Sequence, residues 1–232
     1  MKLGIMQPYF VPYIGYWQLL NVVDKYVVYD DVNFIKGGWI NRNRILVSGK
    51  PQYFNLKMSG ASSNKLINEV EVADDEVYMK KMLKTLEASY KKAPYFNEVY
   101  VLMERILANE QNNIAKFLYD HIREISDYLD INTEIILSSE FEKNTELKAE
   151  DKVLDICKRL GADEYYNAAG GMELYSKERF ADNGVKLNFL KTDEIKYKQF
   201  GDVFCSNLSI IDVMMFNSKE EIKDMLSRYV LL

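Results

Sequence analysis

Residues able to do chemistry gather in the first forty-four positions. Between Asn33 and Arg44 the chain carries three cations, Lys36, Arg42 and Arg44, with Asn41 and Asn43 around the pair Gly37-Gly38 and the indole of Trp39. Planar bidentate donors, a flexible backbone and a stacking surface together suit a ligand bearing a phosphate or a nucleotide. A basic, solvated hairpin whose Trp39 covers core is the plainer alternative. Two carboxylates, Asp30 and Asp31, stand just ahead of this segment. Paired acids beside a basic, asparagine-rich stretch suit acid–base work or a cation; they could equally cap a turn and pair with Arg42 or Arg44.

The elements around these residues must position them. Lys2–Met6 is short, apolar and stopped by a proline, so it reads as a buried strand. Gln7, Pro8, Tyr9, Phe10, Val11, Pro12 and Tyr13 then form a turn-rich loop, in which each proline keeps the residue before it out of the helical region. Gly15 permits close packing, and from there Trp17, Leu19, Leu20, Val22 and Val23 recur at helical spacing. Tyr26–Tyr29 reads as a second strand ending at Asp30. Strand, loop, helix and strand in about thirty residues make a βαβ unit, with a parallel pair and a right-handed crossover. Such a unit puts a ligand site at the carboxyl end of its first strand, beside Gln7, Tyr9, Tyr13, Gly15 and Tyr16.

Further along, Gln52–Lys57 alternates like a half-buried strand behind a turn at Gly49-Lys50-Pro51. Met58–Lys65 is a polar loop whose Lys65 could contact an anion. Residues 75–131 hold three runs at helical spacing and read as a helical lobe inserted into a single domain, 1–232. The lone histidine, His121, falls there and reads as a surface or capping residue rather than a ligand. Glu134–Ser138 returns to strand, and Glu150–Leu160 is an amphipathic helix closed by Gly161. Asp163–Asn167 reads as a strand, followed by Gly170-Gly171 and a helix over 172–183, whose amides could cradle an anion beside Tyr166 and Asn167. Leu187–Leu190 is a further strand. A short buried helix carries Asp212, expected to cap a neighbour or pair with an arginine of the opening unit. Strands alternating with helices indicate an α/β fold with a mainly parallel sheet.

Composition narrows the function. The net charge of −5 argues against a general nucleic-acid binder. Cys157 and Cys205 make no metal-ligand or CxxC spacing, which fits a reduced, cytoplasmic setting. No apolar stretch approaches the roughly 20 residues of a membrane span, so membrane insertion is not expected.

Gln7–Tyr16, Tyr29–Val32, Trp39–Arg44, Tyr166-Asn167 with Gly170-Gly171, and Leu208–Asp212 with Asn217 together resemble the WbqC-like family, from end to end of the chain. The resemblance implies a setting in O-antigen and other surface-glycan (lipopolysaccharide) synthesis, and a role attaching an acyl group or amino acid such as glycine to an amino-dideoxyhexose. A more distant similarity links the opening unit to the nucleotidylyltransferase and pantothenate-synthetase superfamily, with a Rossmann-like, HUP-type sheet. There a His-x-Gly-His motif contacts the phosphates of ATP; Tyr13-Ile14-Gly15-Tyr16 stands in its place, and tyrosine carries no positive charge. If ATP and Mg²⁺ are used, Lys36, Arg42, Arg44 or Lys65 must supply the charge. These resemblances imply an enzyme acting on a nucleotide-linked amino sugar. Arg42, Arg44 and Lys36 would hold phosphate, and Asp30 or Asp31 would orient the amine, take its proton or hold Mg²⁺. Gln7, Asn41 and Asn43 would bond sugar or base, with Trp39 and Tyr16 stacking. The alternative is a non-catalytic binder of a nucleotide-sugar or glycan intermediate. The lobe is expected to be either a lid or the contact of a homodimer.

Overall fold

The computed structural model describes residues 1–232. In chain order the first half comprises β1 (Lys2–Met6), α1 (Ile14–Val22), β2 (Lys25–Val28), β3 (Arg42–Val47), β4 (Lys50–Asn55), β5 (Met58–Ser59) and β6 (Glu71–Val72). Three helices follow: α2 (Glu76–Tyr90), α3 (Phe96–Leu107) and α4 (Ile114–Tyr128). The second half contains β7 (Glu134–Leu137), α5 (Ala149–Leu160), β8 (Glu164–Ala168), α6 (Lys177–Asp182), β9 (Lys186–Thr192), α7 (Ile210–Phe216), α8 (Lys219–Met225) and β10 (Tyr229–Leu231).

Six strands form one sheet in the order β10-β9-β8-β1-β2-β7. All neighbours are parallel except β10, which runs antiparallel to β9. The fold is α/β and Rossmann-like. From β1 the chain steps outward through β2 to β7, then returns to the other side of β1 as β8 and β9. Connections therefore diverge between β1 and β8, and a crevice opens at their carboxyl ends.

Strand alternation divides the sheet residues between two cores. Leu3, Ile5, Val27 and Tyr165 face α5 and α6 in a cluster of 13 buried residues, whereas Tyr26, Val28 and Tyr166 face a cluster of 48. The larger cluster also takes in α1, the α2–α4 helices, the β3–β4 hairpin, α7 and α8, so the helical segment has no core of its own. The hairpin turns at Ser48 and Gly49, both at positive φ (51° and 75°), the geometry of a tight two-residue turn. Gly161 ends α5 in the left-handed region at φ 68°, as its position in the sequence predicts.

Three expectations need correction. The helix expected over 172–183 begins only at Lys177, capped by the Ser176 hydroxyl; Gly170 and Gly171 instead lie in a 3₁₀ turn. No helix start lies at the glycine pair to cradle an anion. Asp212 pairs with no arginine: fully buried, it accepts hydrogen bonds from Tyr197 (2.7 Å), Gln199 (2.7 Å) and Tyr90 (2.8 Å). Burial raises its carboxyl above the ordinary range, against the pull of these three donors. His121 is not on the surface. It is 1% exposed, with Nδ1 against Leu118 O at 2.8 Å and Nε2 accepting from the Val11 N–H at 3.0 Å. Three elements, α8, β10 and the two-residue β5 within the expected 58–65 loop, are additional to those the sequence reading finds.

Burial lowers the His121 pKa to about 4. The unfolded chain binds this proton near 6.5, so stability from neutral His121 is complete above 6.5 and is lost as pH falls toward 4, by at most roughly 3 kcal/mol. Denaturant unfolding of the wild type and of His121→Gln at pH 7 and pH 4.5 should show the gap between them narrowing at the lower pH.

Candidate functional site

The loop after β1 builds the site. Its backbone is tied down from several directions: Phe10 N–H donates to Ile40 O (3.0 Å), and Ile210 N–H and Trp17 Nε1 donate to Pro12 O (3.0 and 3.1 Å). The loop's Tyr9 and Tyr13 side chains are half-buried and face the crevice. The ring of Tyr13 folds back over Gly15, where a Cβ would meet the Tyr13 hydroxyl and Thr192 Oγ1, the latter at 2.6 Å. A side chain at position 15 would displace the Tyr13 ring and the Thr192 hydroxyl.

At the carboxyl ends of β1 and β8 lies a cleft of about 530 Å³. Gln7, Asn167, Ala168, Gly170 and Gly171 supply its polar floor; Tyr9, Tyr13, Trp39, Tyr29 and Tyr175 supply aromatic walls. Gly171 leaves room for the Asn167 amide, which a Cβ would approach to 2.9 Å. Burial raises the phenols of Tyr9, Tyr29 and Tyr175, aided by the Asp31 charge at Tyr29. These groups stay protonated and serve as hydrogen-bond donors. Ile35, Trp39 and Leu174, exposed by 52, 40 and 68%, stand at the rim.

A second cavity of about 380 Å³ shares Tyr9, Tyr13 and Trp39 with the first and adds Pro12, Asn43, Arg44 and Asn207. Arg44 is its cation. On β3 the alternation turns Arg42 and Arg44 to one face and buries Asn43 on the other. Arg44 gives one bond to Asn207 O (3.3 Å), lies 6.0 Å from the Trp39 ring centroid, and keeps a buried Nε with no partner. No carboxylate pairs with it. An arginine with unused donors in an aromatic cavity can take a phosphate or carboxylate oxygen.

Other expected site residues lie elsewhere. Asp30 is 1% exposed and accepts from Ser139 N–H (2.9 Å) and Ser139 Oγ (2.6 Å). Asp31 holds Lys143 and Lys152, each at 3.0 Å, with side-chain exposures of 12, 3 and 8%. Burial works against the Asp31 charge, but Ser138 and the two lysines outweigh it and hold its carboxyl below the ordinary range. The two aspartates therefore face neither the arginines nor the crevice; their partners are α5 and the turn after β7. Arg42 bonds Gly38 O (3.0 Å) and Gly37 O and stacks on Tyr53 at 4.5 Å, bracing the 35–38 turn. Asn41 bonds Leu56 O (3.0 Å). Tyr16 is 3% exposed, its hydroxyl given to Gln7 O (3.2 Å), and it supports Tyr9 from behind. Tyr166 points back along β8 to Glu164 (3.0 Å). Lys36 and Lys65 are exposed on adjoining loops and line neither cavity. The structure thus gathers Gln7, Tyr9, Tyr13, Gly15, Trp39, Asn43, Arg44, Asn167, Gly170 and Gly171, with Tyr16 behind them. Tyr29, part of the Tyr29–Val32 motif but given no site role there, joins them, as do Tyr175 and Asn207 from segments with no motif to single them out.

Comparison with known proteins bears on this arrangement. The model of the WbqC-like protein family matches residues 7–224, spanning the loop, the crevice and Arg44. The chain belongs to the WbqC-like family. Within this WbqC-like chain the match begins at Gln7, the first residue of the cleft floor. The chain is also similar to a Mycobacterium tuberculosis (strain ATCC 25618 / H37Rv) protein described as "Uncharacterized protein Rv1507c", 27% identical over 229 residues and 97% of each chain. No solved structure matches. No helix is long and apolar enough to cross a membrane.

The distinction between bracing and facing side chains is testable. Asp31→Asn strands two buried ammonium groups and should cost about 3 kcal/mol in denaturant unfolding. Arg44→Gln, which removes no ion pair, should cost less than about 1 kcal/mol in the same measurement.

Proposed function

We propose that this WbqC-like protein acylates or aminoacylates the amino group of a nucleotide-linked amino-dideoxy sugar in the synthesis of a surface polysaccharide such as O-antigen. The observation that carries the reading is the continuity of an aromatic, amide-floored cleft at the β1/β8 switch point with the cavity of the unpaired Arg44. Base or sugar rings lie against Tyr9 and Trp39, Gln7 and Asn167 bond their polar edges, and Arg44 holds a phosphate oxygen. In the reaction the amine nitrogen bonds the acyl carbonyl carbon, the bond to the leaving group breaks, and the amine's proton goes with that group or to solvent.

In this reading the two cavities do not take ATP with Mg²⁺. No Asp, Glu or His lines either of them, the carboxylates of Asp193 and Glu194 lying in the adjoining cavity; Asp30 and Asp31 are engaged elsewhere, and the Tyr16 hydroxyl is committed to Gln7 O. The acyl donor in this reading arrives already activated, as an ester or thioester. The lack of any carboxylate, histidine, cysteine or lysine in the two cavities also favours a second reading, a non-catalytic carrier of the same ligand.

Titration calorimetry with thymidine- and uridine-diphosphate amino sugars tests both. Binding should weaken about 10- to 100-fold in Arg44→Gln, the range for losing a charge-assisted contact. Mass spectrometry after adding an activated acyl donor then separates them: a gain of the acyl mass marks the enzyme, an unchanged sugar the carrier. Full-strength binding by Arg44→Gln would overturn the assignment of the anion site.

A further inference from the structure

We infer that Asp193 receives the amine-bearing end of the ligand, an inference that rests on the nucleotide-sugar reading above. The groove does not stop at Arg44. Beyond Tyr13 and Asn207, which line both, a third cavity of about 350 Å³ opens, with Thr192, Asp193, Glu194 and Ser206 among its walls. Thr192 is the last residue of β9, so Asp193 stands at the same carboxyl edge of the sheet as Gln7 and Asn167.

The Asp193 backbone is held by its N–H to Arg228 O at 3.1 Å, which fixes where the side chain departs. Its carboxylate has no ion-pair partner, and two cations of the neighbouring segments pair elsewhere, Lys196 with Glu194 at 2.6 Å and Arg228 with Asp224. Arg44 is the unpaired cation of the neighbouring cavity and Asp193 the unpaired anion of this one. Tyr13 lies between them, lining all three cavities. Along the groove the chemistry runs from amides and aromatic rings, to a cation, to a carboxylate. A nucleotide-linked amino sugar presents base, phosphate and ammonium in the same order. Opposite polarity at the two ends would also set the ligand's direction, since the reversed pose brings like charges together.

The test uses the whole chain and three probes, UDP-glucosamine, UDP-N-acetylglucosamine and UDP-glucose, titrated by calorimetry at low ionic strength. Wild type should bind UDP-glucosamine about fivefold more tightly than the other two, the scale of a partly solvated ion pair. Added salt should shrink that preference. In Asp193→Asn the ratio should fall to about one, whereas Arg44→Gln should weaken all three probes and keep the ratio. A preference that survives in Asp193→Asn, or is absent from wild type, overturns the role of Asp193 and leaves the nucleotide-sugar reading standing. Failure of all three probes to bind wild type removes both.

Discussion

The site depends on the backbone of one residue. Val11 sits at φ 40°, in the left-handed region that a β-branched side chain rarely enters, a conformation costing on the order of 1–3 kcal/mol. It persists because both of its polar backbone groups are bound by buried partners: the N–H by His121 Nε2 at 3.0 Å and the carbonyl by Ser209 Oγ at 2.7 Å. One partner comes from α4 and the other from the start of α7. This kink sends Tyr9 into the crevice ahead of it and Tyr13 across Gly15 behind it. The helical segment thus supports the site directly, through a histidine that must remain neutral to accept the Val11 hydrogen.

Electrostatics sort the ionisable groups into two kinds. Inside the protein, each carboxylate has donors arranged around it: Ser139 for Asp30, two lysines for Asp31, two tyrosines and a glutamine for Asp212. Low local polarisability makes such bonds strong and makes a missing partner costly, which ties distant segments together. Along the crevice the reverse holds. Arg44 retains a buried, unpartnered Nε among aromatic rings, where its charge is less screened than in open water. The two arginines of β3 show how fine this division is. They share a face two residues apart, yet Arg42 is consumed by the carbonyls of its own turn while Arg44 makes one bond, to Asn207 O, and keeps an unpartnered Nε.

Much of this was legible in the chain itself. The opening βαβ unit, the stop of α5 at Gly161, the mainly parallel character of the sheet and the loops at Gln7 and Asn167–Gly171 all follow from short-range signals: apolar spacing, prolines and glycines. Helix α8 carried a local signature as well, Ser218 and Glu221 in a reciprocal cap. The late start of α6 was harder, because Met172 and Tyr175 stand at helical spacing, yet Met172 is 47% exposed and Tyr175 lines the crevice. Asp30 and Asp31 misled for a different reason. The basic stretch that follows them in the sequence carries Lys36, Arg42 and Arg44, whereas their partners in space are Ser139, Lys143 and Lys152.

What the sequence alone determined was the α/β class, the opening β1-α1-β2 unit and most of the elements that follow it. Local backbone preference and hydrophobic periodicity act over a few residues and so can be read along the chain. The tertiary structure alone decided which charges are spent and which are free. Lys152 reaches Asp31 across 121 positions and His121 reaches Val11 across 110, and no local rule encodes such pairs. They form because burying a polar group without a partner costs more than the chain can lose, and packing determines which partner is within reach.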